Sequence, residues 1–218
     1  MGRKTPGAHN RKPIAKPLTR GTLSQTPAQP PGPTGLAQAV PAATTKSLGQ
    51  QVLHFARSKI GRKVGDGECF ALADKALRNA GAATAEDFCK IGSDTDYVWS
   101  SQEENLSDAQ AGDILQFRDF AFERRIDKPD GSWKTQTESR PHHTAVVEST
   151  HTEGSIVFFT ILEQNVTIGS VGNQAKKTVR RNVIPTASGE INSGRDKITY
   201  TVSGTLWVYR PVAPSTAP

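Results

Sequence analysis

Cysteine is nearly absent: the 218 residues hold two, Cys69 and Cys89. Two are too few for a disulfide scaffold, though enough for one bridge. Neither a CxxC nor an HxxxH spacing occurs, so a zinc site built from Cys69, Cys89, His142 and His143 is not expected, and no cofactor is implied. The chain also lacks any run approaching the roughly 18 apolar residues that cross a bilayer, so no membrane partner is expected. Residues 1–21 are charged but have no apolar stretch, which argues against a conventional secretory signal and leaves the cytoplasm or a non-Sec route of export. Their prolines work against the amphipathic helix of a transit peptide, and Pro6 stands where a myristoylation signal needs Ser or Thr. There are no internal repeats.

Acid is missing from one part of the chain. Residues 1–65 contain 11 Lys and Arg and no Asp or Glu, whereas residues 66–218 carry the other 16 basic residues and all 21 acids, a net of −5. The overall charge of +6 is therefore a property of the N-terminal part. A basic segment raises nucleic-acid binding as a possible role. The basic residues are dispersed, however, and no aromatics interleave to stack on bases, which makes a nucleic-acid partner unlikely. Residues 1–46 are rich in Pro, Gly, Thr, Ala and Gln with few large apolar residues. Such a segment does not bury enough surface to offset its ordering entropy and is expected to be a disordered tail. Its loose PxxP spacings around residues 26–34 suit polyproline geometry, so an SH3-type partner is a possible reading beside that of a plain linker.

Order is expected from Ser47. Leu48, Val52, Phe55, Ala56 and Ile60 recur at spacings of three and four, one face of an amphipathic helix that Gly61 ends. A second helix reads from Cys69 to Ala80, stopped by Gly81 and apolar on most sides. After residue 112 the pattern changes to strands: 113–118, 144–148, 155–163, 197–202 and 206–210, with Ser203-Gly204 as a hairpin between the last two. Helices first and strands after predict an α+β domain over residues 47–212, its N-terminal helices packed on an antiparallel sheet. Residues 213–218 read as a disordered end. The polar stretch Asp119–Pro141 reads as a long loop.

Three elements carry chemistry. Cys69 stands at the start of the second helix, where unpaired N–H groups and the positive dipole end favour a thiolate. Asp66 is the expected N-cap, and the glycines at 65 and 67 let the backbone approach a substrate carbonyl. His143 opens a strand in Pro141-His-His-Thr-Ala-Val-Val, a place from which an imidazole can meet that helix start; His142 is the exposed one of the pair. Glu163 and Asn165, two apart at the end of the next strand, share a face, and one of them can orient the imidazole. Glu163 is favoured for the direct contact. In the stretch 119–141, Arg124, Arg125, Trp133 and Arg140 suit a carboxylate-bearing substrate, although its charges nearly cancel and a solvated loop explains them equally.

With these elements in order, the sequence resembles the papain-like cell-wall hydrolases of the CHAP amidase/peptidase family and its NlpC-type relatives. The matching features are Cys69 at a helix head, the strand Gly112-Asp-Ile-Leu-Gln-Phe117, His143 followed by Thr-Ala-Val-Val, and Glu163-Gln-Asn165. It is similar also to the cysteine-proteinase-fold module at the C-terminus of some fungal actin-patch proteins, a likeness that extends to Asp96-Tyr-Val-Trp99 and Val208-Tyr-Arg-Pro211. These resemblances imply a papain-like fold and a cysteine amidase or peptidase with Cys69 as nucleophile, His143 as base, and Glu163 and Asn165 orienting it; Gly67, Trp133 and Arg140 are expected near the substrate from the reading of the residues alone, the stretch 119–142 being longer than the family's usual connection. The resemblances also imply a peptide or peptidoglycan-like substrate and a thioester intermediate. The alternative is a non-catalytic papain-like interaction module with a proline-rich docking tail.

Overall fold

A computed structural model describes residues 46–166 and 177–215. The expectations for the proline-rich tail and for the last three residues fall outside that range. Helix α1 (Leu48–Ser58) opens with a capping box: the Ser47 hydroxyl accepts the Gln50 N–H, and the Gln50 side chain accepts the Ser47 N–H. Val52, Leu53 and Ala56 are buried. Helix α2 (Cys69–Ala80) ends where Gly81 adopts φ +69, the left-handed conformation that glycine takes without steric cost. Both helices match the sequence expectation, except that Ile60 lies past the end of α1 and pairs in parallel with Val179.

The rest is sheet. Its strands are β1 (Glu103–Glu104), β2 (Ile114–Asp127), β3 (Trp133–Glu153), β4 (Ile156–Glu163), β5 (Arg180–Pro185), β6 (Gly189–Ser193) and β7 (Asp196–Tyr209). They form one antiparallel sheet in the order β1-β7-β2-β3-β4-β5, with β6 on β7. Strand outweighs helix, so the α+β expectation is corrected: the domain is a curled antiparallel sheet carrying two helices. Period-two alternation sends residues of one strand to opposite faces. Ile114, Val146, Leu162 and Tyr209 pack with α1 and α2, joined by Trp99 and Tyr97. Leu115, Phe117, Val147, Ile161 and Val208 form a second core with Phe120, Phe122, Phe159 and Ile198 on the other face.

Two expectations fail for one reason. The stretch 119–141 is no loop: β2 and β3 continue through it in register from Phe120↔Arg140 to Asp127↔Trp133, turning at Lys128–Ser132. Polar residues dominate because this hairpin arm exposes one face to water, and the reading took polarity for irregularity. Nor do Ser203 and Gly204 make a hairpin. They lie inside β7, opposite a β-bulge where Asp119 and Phe120 stand against Gly204 alone, between the pairs Arg118↔Thr205 and Ala121↔Ser203. Asp119 has φ +51 and Gly204 φ +84. A Cβ on Gly204 would lie 2.2 Å from the Asp119 carbonyl oxygen. Glycine is required here for close backbone approach as well as for φ.

The bulge reverses which residues face inward. On β3 the inward set is Glu138 and Arg140 before Pro141, and His143, Ala145 and Val147 after it. Asp119 and Pro141 drop out of the β2–β3 pairing at the same level. Replacing Gly204 with alanine strains φ and forces the backbones apart together. The expected cost is about 2–4 kcal/mol, read as a lower urea midpoint at unchanged m-value; a midpoint equal to wild type removes this account of the bulge.

Candidate functional site

The cysteine comes from α2, the histidine from β3 and the carboxylate from the last residue of β4. Glu68, not Asp66, is the N-cap residue, and Cys69 is the first helical residue. Asp66 serves instead as a turn-former, its carboxylate accepting the Glu68 N–H at 2.9 Å. Gly67 holds φ +91 and packs on the Lys177 side chain. His143 does not open a strand as expected but sits mid-way along the long β3.

The loop ahead of Cys69 is pinned by Gln164, a fully buried residue that the sequence reading passed over inside Glu163-Gln-Asn165. Its Oε1 accepts the Val64 N–H at 3.1 Å, while its Nε2 donates to the Val64 carbonyl at 2.9 Å and the Glu68 carbonyl at 2.6 Å. These bonds tie the start of α2 to the end of β4, so the position of Cys69 relative to Glu163 depends on one amide. Glu163 is the last residue of β4 and faces His143, while Gln164, the first residue past the strand, faces the loop.

His143 Nε2 lies 3.0 Å from Glu163 Oε2. The ring also hydrogen-bonds Cys69, and with Nε2 taken by the carboxylate it is Nδ1 that meets the thiol. Burial pushes the Cys69 pKa up, but the hydrogen bond and charge of His143 and the N–H groups of Thr144 and Phe70 outweigh it, so the thiol lies below its ordinary 9.0. Burial disfavours the imidazolium too, yet bonds and charges from Cys69 and Glu163 raise His143 from 6.5 to about 9. Burial likewise opposes ionised Glu163, and Arg140 and His143 hold it at about 2 against an ordinary 4.5. All three directions favour a thiolate–imidazolium pair over a carboxylate.

Glu163 has further partners. Arg140 donates from Nε to Oε2 at 2.8 Å and from Nη2 to Oε1 at 2.7 Å. Arg140 Nη2 also reaches Glu138 at 3.3 Å, and Asn182 Nδ2 bridges Glu138 at 2.8 Å and Glu163 at 3.3 Å. The Arg140 guanidinium is wholly buried, and among the described residues its Nη1 has no hydrogen-bond partner. It therefore faces Glu163 rather than a substrate, contrary to expectation. Nothing in the sequence marked Glu138 or Asn182.

The same-face expectation for Glu163 and Asn165 does not hold. Asn165 lies past the strand end with φ +61, and its Nδ2 hydrogen-bonds Glu68, which Lys177 Nζ also approaches at 2.7 Å. His142, expected to be exposed, is half-buried, its Nε2 2.7 Å from the Thr95 carbonyl oxygen. Trp133 is exposed at the tip of the hairpin arm, under the Arg125 guanidinium at 4.8 Å. Ten residues of strand, roughly 33 Å, separate it from His143, so it does not join the site. Beside the ring is a cavity of about 210 Å³ lined by Ser139, Arg140, His142, His143, Asn165 and Val166. Among the described residues no group of three or more His, Cys, Asp or Glu is arranged to hold a metal ion, and no helix is long and apolar enough to cross a membrane.

The ion pair has a thermodynamic signature. A raised His143 stabilises fully below pH 6.5 and loses that contribution as pH rises through about 9. A lowered Cys69 works in the opposite sense, so across neutral pH the pair exchanges almost no net proton on unfolding and wild-type stability is nearly flat. Cys69→Ala removes the foremost of the interactions that raise His143 and leaves Glu163 as its raising partner: the melting temperature is expected to fall above pH 6.5 only by what Glu163 still contributes, at roughly 2–4 °C per kcal/mol for a domain of this size. NMR titration should read His143 as charged through neutral pH; a midpoint at or below 6.5 rejects the pair.

The model of the AIM3/BBC1 cysteine proteinase-fold domain matches residues 24–217, most of the chain and every element of the site. Neither a curated protein nor a solved structure matches the chain. The match agrees with the second resemblance read from the sequence, the cysteine-proteinase-fold module of actin-patch proteins, and the chain belongs to the AIM3/BBC1 cysteine proteinase-fold domain family.

Proposed function

We propose that the domain is a cysteine hydrolase that cleaves an amide or peptide bond through a thioester on Cys69. The observation that carries this reading is the contact of Cys69 with His143, itself 3.0 Å from buried Glu163. The thiolate attacks the amide carbonyl carbon, and the tetrahedral oxyanion is held by N–H groups at the start of α2, that of Cys69 foremost. As the C–N bond breaks, the Nδ1 proton of His143 passes to the leaving amine. Neutral Nδ1 then takes a proton from water, whose oxygen attacks the thioester; the acid departs and the thiolate–imidazolium pair is restored. CHAP-type amidase or peptidase chemistry, with a peptide or peptidoglycan-like substrate, is the finer form of the proposal.

One observation favours a second reading. The cavity at His143, about 210 Å³, is smaller than the roughly 300–1,000 Å³ usual for ligand pockets. A papain-like module kept for binding, with the proline-rich tail docking an SH3-type partner, fits a small cavity. Intact-mass measurement of the full chain incubated with peptide pools and peptidoglycan fragments separates the two. Hydrolysis predicts cleaved products and an acyl adduct on Cys69, both falling by about 10³-fold or more in Cys69→Ala and His143→Ala. No product and no adduct from any pool, with partner binding unchanged in Cys69→Ala, establishes the binding module instead.

A further inference from the structure

Glu163 and Arg140 lie on adjacent strands, and ordinary strand geometry would keep Arg140 off the face that carries His143. The two residues are three apart, and in a regular strand an odd separation sends side chains to opposite faces. The bulge at Asp119 and the gap in pairing at Pro141 undo this, so Arg140 Nε and His143 Nε2 converge on one oxygen, Glu163 Oε2, at 2.8 and 3.0 Å. A carboxylate is acceptor-only while ionised, and a protonated one can donate. Whichever form Glu163 takes dictates which imidazole nitrogen carries the proton.

We propose that Arg140 is a positioning residue for the cysteine–histidine pair: by fastening Glu163 as a bidentate carboxylate it keeps His143 Nε2 a donor and Nδ1 turned to Cys69 as the exchanging nitrogen. The inference rests on the thiolate–imidazolium reading of the site but not on hydrolysis. Every charged or polar neighbour of Glu163 bears on it. Arg140, Glu138 and His143 come from β3, while β5 contributes Asn182 and, opposite Glu163 in register, Arg180. From α2 comes Cys69, reached through His143. Arg140 donates two bonds to Glu163, from Nε and Nη2 to the two carboxylate oxygens. Fork geometry of this kind belongs to guanidinium and not to ammonium. Without it, a buried carboxylate next to Glu138 gains a proton more easily. Protonated Glu163 would donate to Nε2, placing the ring hydrogen on Nδ1 and removing the acceptor that takes the thiol proton.

The test reads thiolate directly. The full chain is alkylated with iodoacetamide across pH, and Cys69 is followed by peptide mass spectrometry with Cys89 as internal reference. Arg140→Met is expected to move the acid edge of Cys69 reactivity upward, lowering its rate at about pH 6 by about tenfold, the effect of one pKa unit on thiolate fraction. Cys89 should not change. Arg140→Lys, which keeps charge and loses the fork, should recover part of the loss. Because Arg140→Met leaves two buried acids short of a partner, Arg140→Met/Glu138→Gln removes one charge of each sign and preserves the balance. It should show a shift in the same direction, smaller because the neighbouring Glu138 charge is gone, while Glu138→Gln alone stays within about threefold of wild type. A folded Arg140→Met or double variant with a wild-type Cys69 profile overturns the proposal, as does an equal slowing of Cys89, which would mark general loosening. A chain that cleaves no substrate but shows the predicted shift would fail the hydrolase reading and keep this one.

Discussion

Glu163 is the residue on which the site depends. It is fully buried, at the last position of β4. Ionisation there is tolerable only because Arg140 supplies two charge-assisted bonds, Asn182 a third and His143 a fourth. The charge is then passed outward. A carboxylate at that depth stabilises the imidazolium, and the imidazolium with two backbone N–H groups stabilises the thiolate at the mouth of the helix. Removing the innermost charge would leave each outer one without its reason to exist.

That chain of charges is a consequence of backbone geometry two strands away. Gly204 permits the close approach of β7 to Asp119, the bulge turns β2, and β3 follows by exchanging its inward set at Pro141. Only because of that exchange do Glu138, Arg140 and His143 all point inward. A second bulge, between Val147 and Ser149, aims Glu148 at Arg57 of α1, 2.8 Å away, and at Arg181 of β5. One irregularity builds the site and the other fastens the helix layer beside it.

These irregularities also set how far the sequence could be read. Helix α2 was legible to the residue because Gly81 stops it and its apolar faces repeat at helical spacing. Cys69 and Glu163 are legible because they stand at a helix head and a strand end, and His143 because apolar alternation begins just after it, although it lies mid-way along β3. The hairpin arm was not, since one solvated face gives it the polarity of a loop. Gly204 looked like a turn, for a bulge glycine and a hairpin glycine have the same letters around them. Arg140 reads as a substrate contact because it falls in the stretch that looks like a loop; the parity change that turns it inward leaves no mark in composition. Asn165 was assigned to His143 by assuming that β4 continued two residues beyond its end.

The energetics of the buried network argue about purpose. A buried ion cluster is weak evidence for stability, because replacing it with apolar residues of similar volume is often neutral or stabilising. Among the described residues the cluster even leaves Arg140 Nη1 buried without a partner, at a desolvation cost of about 1–3 kcal/mol or more for a charged group. Phe117, whose ring lies 6.0 Å from the guanidinium, could close the same space with aliphatic neighbours at no such cost. What the arrangement does hold is a thiol drawn below its ordinary pKa beside an imidazole raised above its own. The cost of the buried network is therefore borne at the cysteine–histidine pair, beside a small cavity, rather than returned as stability of the sheet.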